Sequence, residues 1–162
     1  MLLNPAPGAI LLRNEIMLIR PVRGKSDLGE IADLFVEIFS EEPYKEKWKK
    51  MQVYYRAKKT KESGKGINLV AEHGGKIVGF VTSETLQEDT GKHLFIVDLG
   101  VKKEFRRQRV GSLLVKRLEK EAKKDGIKEL NLTVNSTAKA LKFWREIGYM
   151  ENNYIGLSKE VN

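Results

Sequence analysis

The spacing of apolar side chains changes several times along this chain, and each change marks an element. Residues 17–23 (MLIRPVR) read as a short strand. Asp27 followed by Glu30 has the form of a capping box. Behind it, Ile31, Leu34, Phe35, Ile38 and Phe39 recur at helical spacing as one apolar face, and Pro43 ends the run. A more polar helix is expected over residues 45–61, with Trp48, Met51 and Tyr55 along one side and Gly64 and Gly66 beyond its end. The pattern then turns β-rich over residues 67–72 and 76–85, joined by His73-Gly74-Gly75, which predicts a hairpin. Residues 93–101 (HLFIVDLGV) are almost continuously apolar and read as a strand buried on both faces. Gly100 within it marks a bulge or a close backbone approach.

Helical spacing returns at Val110, Leu113, Leu114, Leu118 and Ala122, stopped by Gly126. A strand over 129–134, a helix over 137–147 ending at Gly148, and a last strand over 152–159 complete the reading. Strand, two helices, three strands, helix, strand, helix, strand describes an α/β fold with a central mixed sheet flanked by helices. No repeat or linker divides the chain, so residues 17–162 are read as one domain. Residues 1–16 are read as an N-terminal extension, because Met17 resembles a natural start.

Composition narrows the chemistry. The 162 residues are enough for one core, and they contain no cysteine and only His73 and His93. Disulfides, thiolate metal sites and a cysteine nucleophile are thereby excluded, and no metal is expected. No apolar run approaches the roughly 20 residues that span a bilayer, and the first residues make a poor signal peptide. A cytoplasmic protein without membrane contact is expected. The formal net charge is +8. Residues 102–124 hold ten basic side chains against three acidic ones, an excess of +7 that accounts for nearly all of it. An anionic partner is implied, though charge alone does not choose which.

Position does choose. The basic stretch Glu104-Phe-Arg-Arg-Gln-Arg-Val-Gly-Ser follows a buried strand and runs straight into a helix. The first N–H groups of a helix lack internal acceptors and, with the helix dipole, favour a phosphate or pyrophosphate. In this setting the chain resembles the GNAT superfamily of acetyl-CoA-dependent N-acetyltransferases. The run Arg106-Arg107-Gln108-Arg109-Val110-Gly111 is similar to the family's [Gln/Arg]-x-x-Gly-x-[Gly/Ala] pattern. ALKFWREIGY at 140–149 and LVAEHGGKIVGFV at 69–81 resemble other family segments, and the likeness runs from about Met17 to the C-terminus.

The resemblance implies a three-layer fold and acetyl-CoA as co-substrate. Arg106, Arg107, Gln108, Arg109, Val110, Gly111 and Ser112 would hold the coenzyme phosphates. Leu99 and Val101 would meet its pantetheine arm, and the Leu99 N–H would serve as oxyanion donor. Direct attack by a primary amine in a ternary complex is the implied route. Two positions depart from the family: Arg109 stands where glycine is usual, and Trp144 where a tyrosine acid is usual. An indole N–H can donate a hydrogen bond but is no usable acid. Trp144 is therefore carried over as a coenzyme contact only. Thr137 replaces a frequent asparagine.

Asp98 is the candidate base, with a structural carboxylate held by backbone or arginine as its rival reading. His93, Glu72 and Glu84 are weaker candidates, and Tyr149 and Tyr154 are phenols without an assigned place. The amine acceptor is not legible. Residues 39–55, with Tyr44, Trp48, Tyr54 and Tyr55, would form one wall of its site. A homodimer is left open. The rival functions are a degenerate acyl-CoA-binding module and, less favoured, a nucleic-acid-binding protein, for which no recognition motif is present.

Overall fold

Six strands, each beside its predecessor in the chain, make one sheet: β1 Ala9–Leu12, β2 Glu15–Pro21, β3 Leu69–His73, β4 Lys76–Glu88, β5 Gly91–Val101 and β6 Glu129–Asn131. The computed structural model describes residues 8–135, 139–153 and 155–161. Strands β1 to β5 run antiparallel, and β6 lies parallel to β5. Helices α1 (Lys25–Ser40) and α2 (Lys50–Glu62) pack on one face through Leu28, Ile31, Phe35, Val53 and Ala57. Helices α3 (Val110–Lys124) and α4 (Lys139–Glu146) pack on the other through Val110, Leu114, Leu118 and Trp144. The result is the expected three-layer α/β fold. Among the described residues, no helix is long and apolar enough to cross a membrane.

Two bulges explain how the central strands serve both layers. Ala71 pairs with Gly79 but Glu72 with Ile77, leaving Val78 extra. Alternation resets there, so Ile77 and Phe80 face α1 while Val78 and Val81 face α3. Likewise Thr82 pairs with Asp98 but Ser83 with Ile96, leaving Val97 extra. Gly100 is not the bulge. It is the close approach, since a Cβ there would lie 2.8 Å from the Phe80 ring and 2.9 Å from Ile38.

The predicted hairpin turn at Gly74 and Gly75 is present, with φ +57° and +74°, the doubly left-handed turn that two-residue hairpins favour. A second such turn lies where no strand was expected. Arg13 and Asn14, at φ +50° and +66°, fold β1 back on β2 from Leu12↔Glu15 to Ala9↔Leu18. The expected boundary at Met17 thus falls inside β2, and Met17 is fully buried.

Other expectations shift for physical reasons. Asp27 does not cap α1; the helix starts at Lys25, and Asp27 in its first turn accepts the Arg23 N–H at 2.7 Å. Helix α2 starts at Lys50 rather than Lys45. Lys45 is left-handed, and Trp48 sits before the helix with its ring edge-on to Phe35 at 5.7 Å. The buried face of α2 is Val53, Ala57 and Thr60, whereas Met51 and Tyr55 are exposed. Strand β6 stops at Asn131, short of the expected Val134. No strand forms among described residues 151–153 and 155–161, and Ile155 and Leu157 are exposed. β-Rich composition becomes a strand only where a neighbour supplies the other half of the ladder.

A buried ion cluster ties the α1 layer to the sheet. Arg20 on β2 makes two hydrogen bonds to Asp27, at 2.6 and 3.0 Å, and one to Glu72 on β3 at 2.7 Å. The Arg20 pair and the Arg23 N–H hold the Asp27 carboxyl below its usual range despite burial. Its folded pKa therefore lies under its unfolded one. The stability it confers is present above about pH 4, the unfolded carboxylate value, and is lost as pH falls through the folded pKa. Asp27→Ala is expected to destabilise the protein by about 3 kcal/mol at pH 7, because Arg20 stays buried with half its partners. Urea melts of both proteins from pH 7 to 3 should show that difference shrinking at the acid end.

Candidate active site

The site begins where β5 loses its neighbour. Strand β6 pairs with β5 only from His93↔Glu129 to Phe95↔Asn131. Beyond Val97 the outer edge of β5 has no strand beside it among the described residues. The Lys102 N–H donates to Val78 O at 2.8 Å across the β4–β5 ladder. Antiparallel alternation then turns the Gly100 and Asp98 peptides toward β4, and those of Leu99 and Val101 toward the open edge. The Val101 carbonyl on that edge accepts Arg106 Nε–H at 2.9 Å.

Beside this edge, a 3-10 turn at Lys103–Phe105 leads through Arg106–Arg109 into α3. Arg107 and Arg109 are left-handed, with φ +59° and +64°. Such a conformation costs a non-glycine residue roughly 1 kcal/mol, so the turn demands the backbone shape that glycine adopts freely. The first bond inside the helix is Leu113 N–H to Arg109 O at 2.9 Å, which leaves the N–H groups of Val110, Gly111 and Ser112 directed out of the helix start. Arg109 supplies no side-chain cap. Successive N–H groups next to left-handed residues make a concavity suited to an anion, and the exposed Arg106, Arg107 and Arg109 lead directly into it. Gly111 lets α4 lie close against the helix start: a Cβ there would sit 3.3 Å from the Phe143 ring.

On the other face of β5, Asp98 points into the α1–α2 layer. Its carboxylate accepts hydrogen bonds from Arg56 Nη2 at 3.2 Å and from the Thr82 hydroxyl at 3.3 Å. Burial pushes its pKa above the usual carboxylate range, against the opposing pull of Arg56 and Thr82. The Arg56 guanidinium lies 5.4 Å from the Trp48 ring centroid and 5.9 Å from that of Phe35. Trp48 Nε1–H donates to the Glu46 carboxylate. Tyr44 packs against Phe39 at 4.9 Å, and burial raises its phenol, opposed by the charge of Arg106. The segment between α1 and α2 therefore brings an aromatic wall to the Asp98 end of β5.

The remaining sequence candidates have other surroundings. Trp144 is 6% exposed, edge-on to Phe143 and Tyr149 within the α3-side core. Tyr149 meets Glu119 in the second half of α3, and burial followed by that carboxylate raises its pKa. It lies well down the helix from the cradle. His93 is buried at the far end of β5, with Nε2 at 2.8 Å from the Thr90 hydroxyl and Nδ1 at 3.4 Å from the Asn131 amide. Glu72 is taken by Arg20, and Glu84 is exposed. Thr137 and Tyr154 fall outside the described residues. Sequence reasoning missed Arg56, whose signal was its place beside the Val53, Ala57, Thr60 stripe of α2. It also missed Arg13, which the Arg-Asn pair between two apolar runs, a hairpin-turn pattern, could have revealed.

Comparison with known proteins bears on the whole arrangement. The aminoglycoside N-acetyltransferase AAC(6')-Iy, solved in complex with CoA, superposes with a TM-score of 0.77 over 93% of this chain and 99% of that one, at 15% identity. A possible acetyltransferase from Clostridium difficile 630 gives 0.77 over 90% and 98%, at 22% identity. Glucosamine-6-phosphate N-acetyltransferase from Arabidopsis thaliana gives 0.66 over 90% and 99%, at 21%. At these identities the likeness is one of fold. No curated protein matches the sequence. The family model for the acetyltransferase (GNAT) family matches residues 28–149, three quarters of the chain, so a sheet split beside an arginine-rich helix start belongs here to a member of the GNAT family.

Proposed function

We propose that the protein transfers the acetyl group of acetyl-CoA to a primary amine, with the amine attacking the thioester directly. What supports this reading is the outward Leu99 N–H on the unpaired edge of β5 together with the outward N–H groups of Val110 to Ser112 at the start of α3, one short connection further along the chain. Residues Arg106 to Ser112 would hold the coenzyme pyrophosphate, and Leu99 and Val101 its pantetheine arm. Acetyl-CoA supplies the activated acyl group. The Leu99 N–H meets the thioester oxygen as charge develops there, an effect worth about 3 kcal/mol where such a donor has been removed elsewhere. Asp98 takes the proton of the ammonium, directly or through water. The amine nitrogen bonds to the acyl carbon as the carbon–sulfur bond breaks, the nitrogen gives up its second proton to solvent, and the thiolate takes its proton from solvent. The Trp144 indole is no usable acid, and burial makes the Tyr149 phenol a weaker one.

The acceptor would approach along Tyr44, Trp48 and Arg56. The aminoglycoside and glucosamine 6-phosphate enzymes named above show that this fold admits amines of different charge, and they single out neither for this chain. A second reading, a module that binds acetyl-CoA without turning it over, is favoured by the burial of Trp144 at the position where the family usually carries its acid.

Titration calorimetry with acetyl-CoA, followed by a thiol-release assay over a panel of amines, separates these readings. Gly111→Glu should abolish saturable binding, because its side chain must displace the Phe143 ring packed 3.3 Å from the Cβ position and brings a carboxylate to the helix start proposed to hold the phosphates. Arg109→Gly should raise stability by up to about 1 kcal/mol as left-handed strain is relieved, yet weaken coenzyme binding severalfold through loss of a guanidinium. A tighter complex with Arg109→Gly would show that this arginine obstructs the site.

The acid limb of kcat/KM should follow Asp98. Activity should appear as pH rises through a pKa above the ordinary carboxylate range, because the base works only when ionised. Asp98→Asn should lower the rate by about 10²–10⁴ and remove the limb. Arg56→Met should move the limb to higher pH, since the nearest cation stabilising the carboxylate is gone. A limb unmoved by Arg56→Met would reject Asp98 as the base.

A further inference from the structure

We propose that Arg13, at the tip of the β1–β2 hairpin, is a positioning residue for the coenzyme loop, holding residues 104–108 in the shape that receives the pyrophosphate. This rests on the reading of the Arg106–Ser112 turn as the coenzyme site. The turn needs an external brace, because two of its residues are left-handed without being glycine. Gln108 lies between those two, and both ends of its side-chain amide are occupied. Its Nε2–H donates to the Glu104 carbonyl at 2.7 Å, and its Oε1 accepts Arg13 Nε–H at 3.0 Å. A second arm of the same guanidinium, Nη2, donates to that Glu104 carbonyl at 2.5 Å. One planar fork thus closes a ring through Gln108 and Glu104, and its central carbon lies 4.9 Å from the Phe105 ring centroid.

The hairpin fixes this fork rather than merely carrying it. Arg13 and Asn14 form the left-handed turn that β1 and β2 impose, which aims Arg13 at a loop more than ninety residues away in the chain. The turn is docked on a second side as well. His73 Nε2–H donates to the Leu12 carbonyl at 3.0 Å, and the His73 ring packs on Phe105 at 5.1 Å. The segment before Met17 is therefore joined to the loop that carries Arg107 and Arg109. Its contribution to binding is preorganisation, since a loop already in its bound shape loses less freedom when the ligand arrives.

The test compares two ligands that differ in the part the loop should hold. Coenzyme A carries the pyrophosphate; S-acetylpantetheine does not. For Arg13→Ala the dissociation constant for coenzyme A should rise about tenfold, while S-acetylpantetheine, followed by chemical-shift titration, binds as in the wild type. Arg13→Lys keeps the charge without the fork and should lose nearly as much. Adding Gln108→Ala to Arg13→Ala should cost little beyond either change alone, because both break one ring. The proposal is overturned if Arg13→Ala and Arg13→Lys bind coenzyme A as the wild type does, or if both ligands weaken equally, which marks a purely structural role. A wild-type protein that fails to bind coenzyme A would overturn the coenzyme-site reading itself and this proposal with it. Normal wild-type binding beside unaffected variants would overturn the positioning role alone.

Discussion

Every peptide group in a sheet needs a partner, and among the described residues no strand pairs with the outer edge of β5 beyond Val97. Unpaired backbone donors and acceptors are tolerated at an edge only where water or a ligand reaches them. Here the edge is made by the chain's own route. After β5, the chain crosses the sheet through α3 and returns as a parallel strand that pairs for only three residues. The bulge at Val97 bends β5 just beyond that pairing. Because α3 starts soon after β5 ends, its first unpaired N–H groups follow the outward Leu99 N–H after only a short connection. One topological step thus produces both halves of the site proposed for the coenzyme, and the arginines of the connecting turn add positive charge to it.

What could be read in advance follows from which forces are local. The amphipathic stripes of α1 and α3, the double-glycine hairpin and the arginine-rich helix start were legible because each element's burial or turn chemistry is written in its own residues. The gap was not, because β6 ends where β5 bends away, and nothing between Leu132 and Val134 announces it. The C-terminal segment failed for the same reason in reverse. Its composition suits a strand, but pairing is a property of two segments. Trp48 was assigned to a helix by spacing, whereas its place is set by the aromatic cluster of Phe35 and Phe39. The residues before Met17 carried a legible signal, an apolar run on either side of Arg-Asn. The choice of Met17 as a start concealed it.

The same split between local and non-local causes divides the basic segment. Arg106 folds back on the Val101 carbonyl, and Arg107 and Arg109 surround the helix start. Further along α3, Arg117 pairs with Glu121, while Lys116, Lys120 and Lys123 lie exposed. The +7 excess thus divides between the turn proposed as the coenzyme cradle and a solvated helix face. A nucleic-acid surface would need those charges arrayed together for a phosphate backbone. The fold instead separates the three that matter from the rest.

Two aspartates show how one kind of contact yields opposite chemistry. Asp27 and Asp98 both face an arginine, and burial acts on both. Asp27 receives two arginine hydrogen bonds and a backbone N–H, at 2.6 to 3.0 Å, and its pKa falls. Asp98 receives one arginine bond and one hydroxyl at 3.2 and 3.3 Å, and its pKa rises. The number and closeness of the donors decide which influence prevails. A carboxylate held as firmly as Asp27 has little basicity to offer. One that is buried but under-bonded, on a strand whose other edge opens on the coenzyme gap, retains it. Arg56 is then the adjustable element of the site: its guanidinium rests on Trp48 and Phe35, close enough to keep Asp98 ionisable and too distant to make it an Asp27.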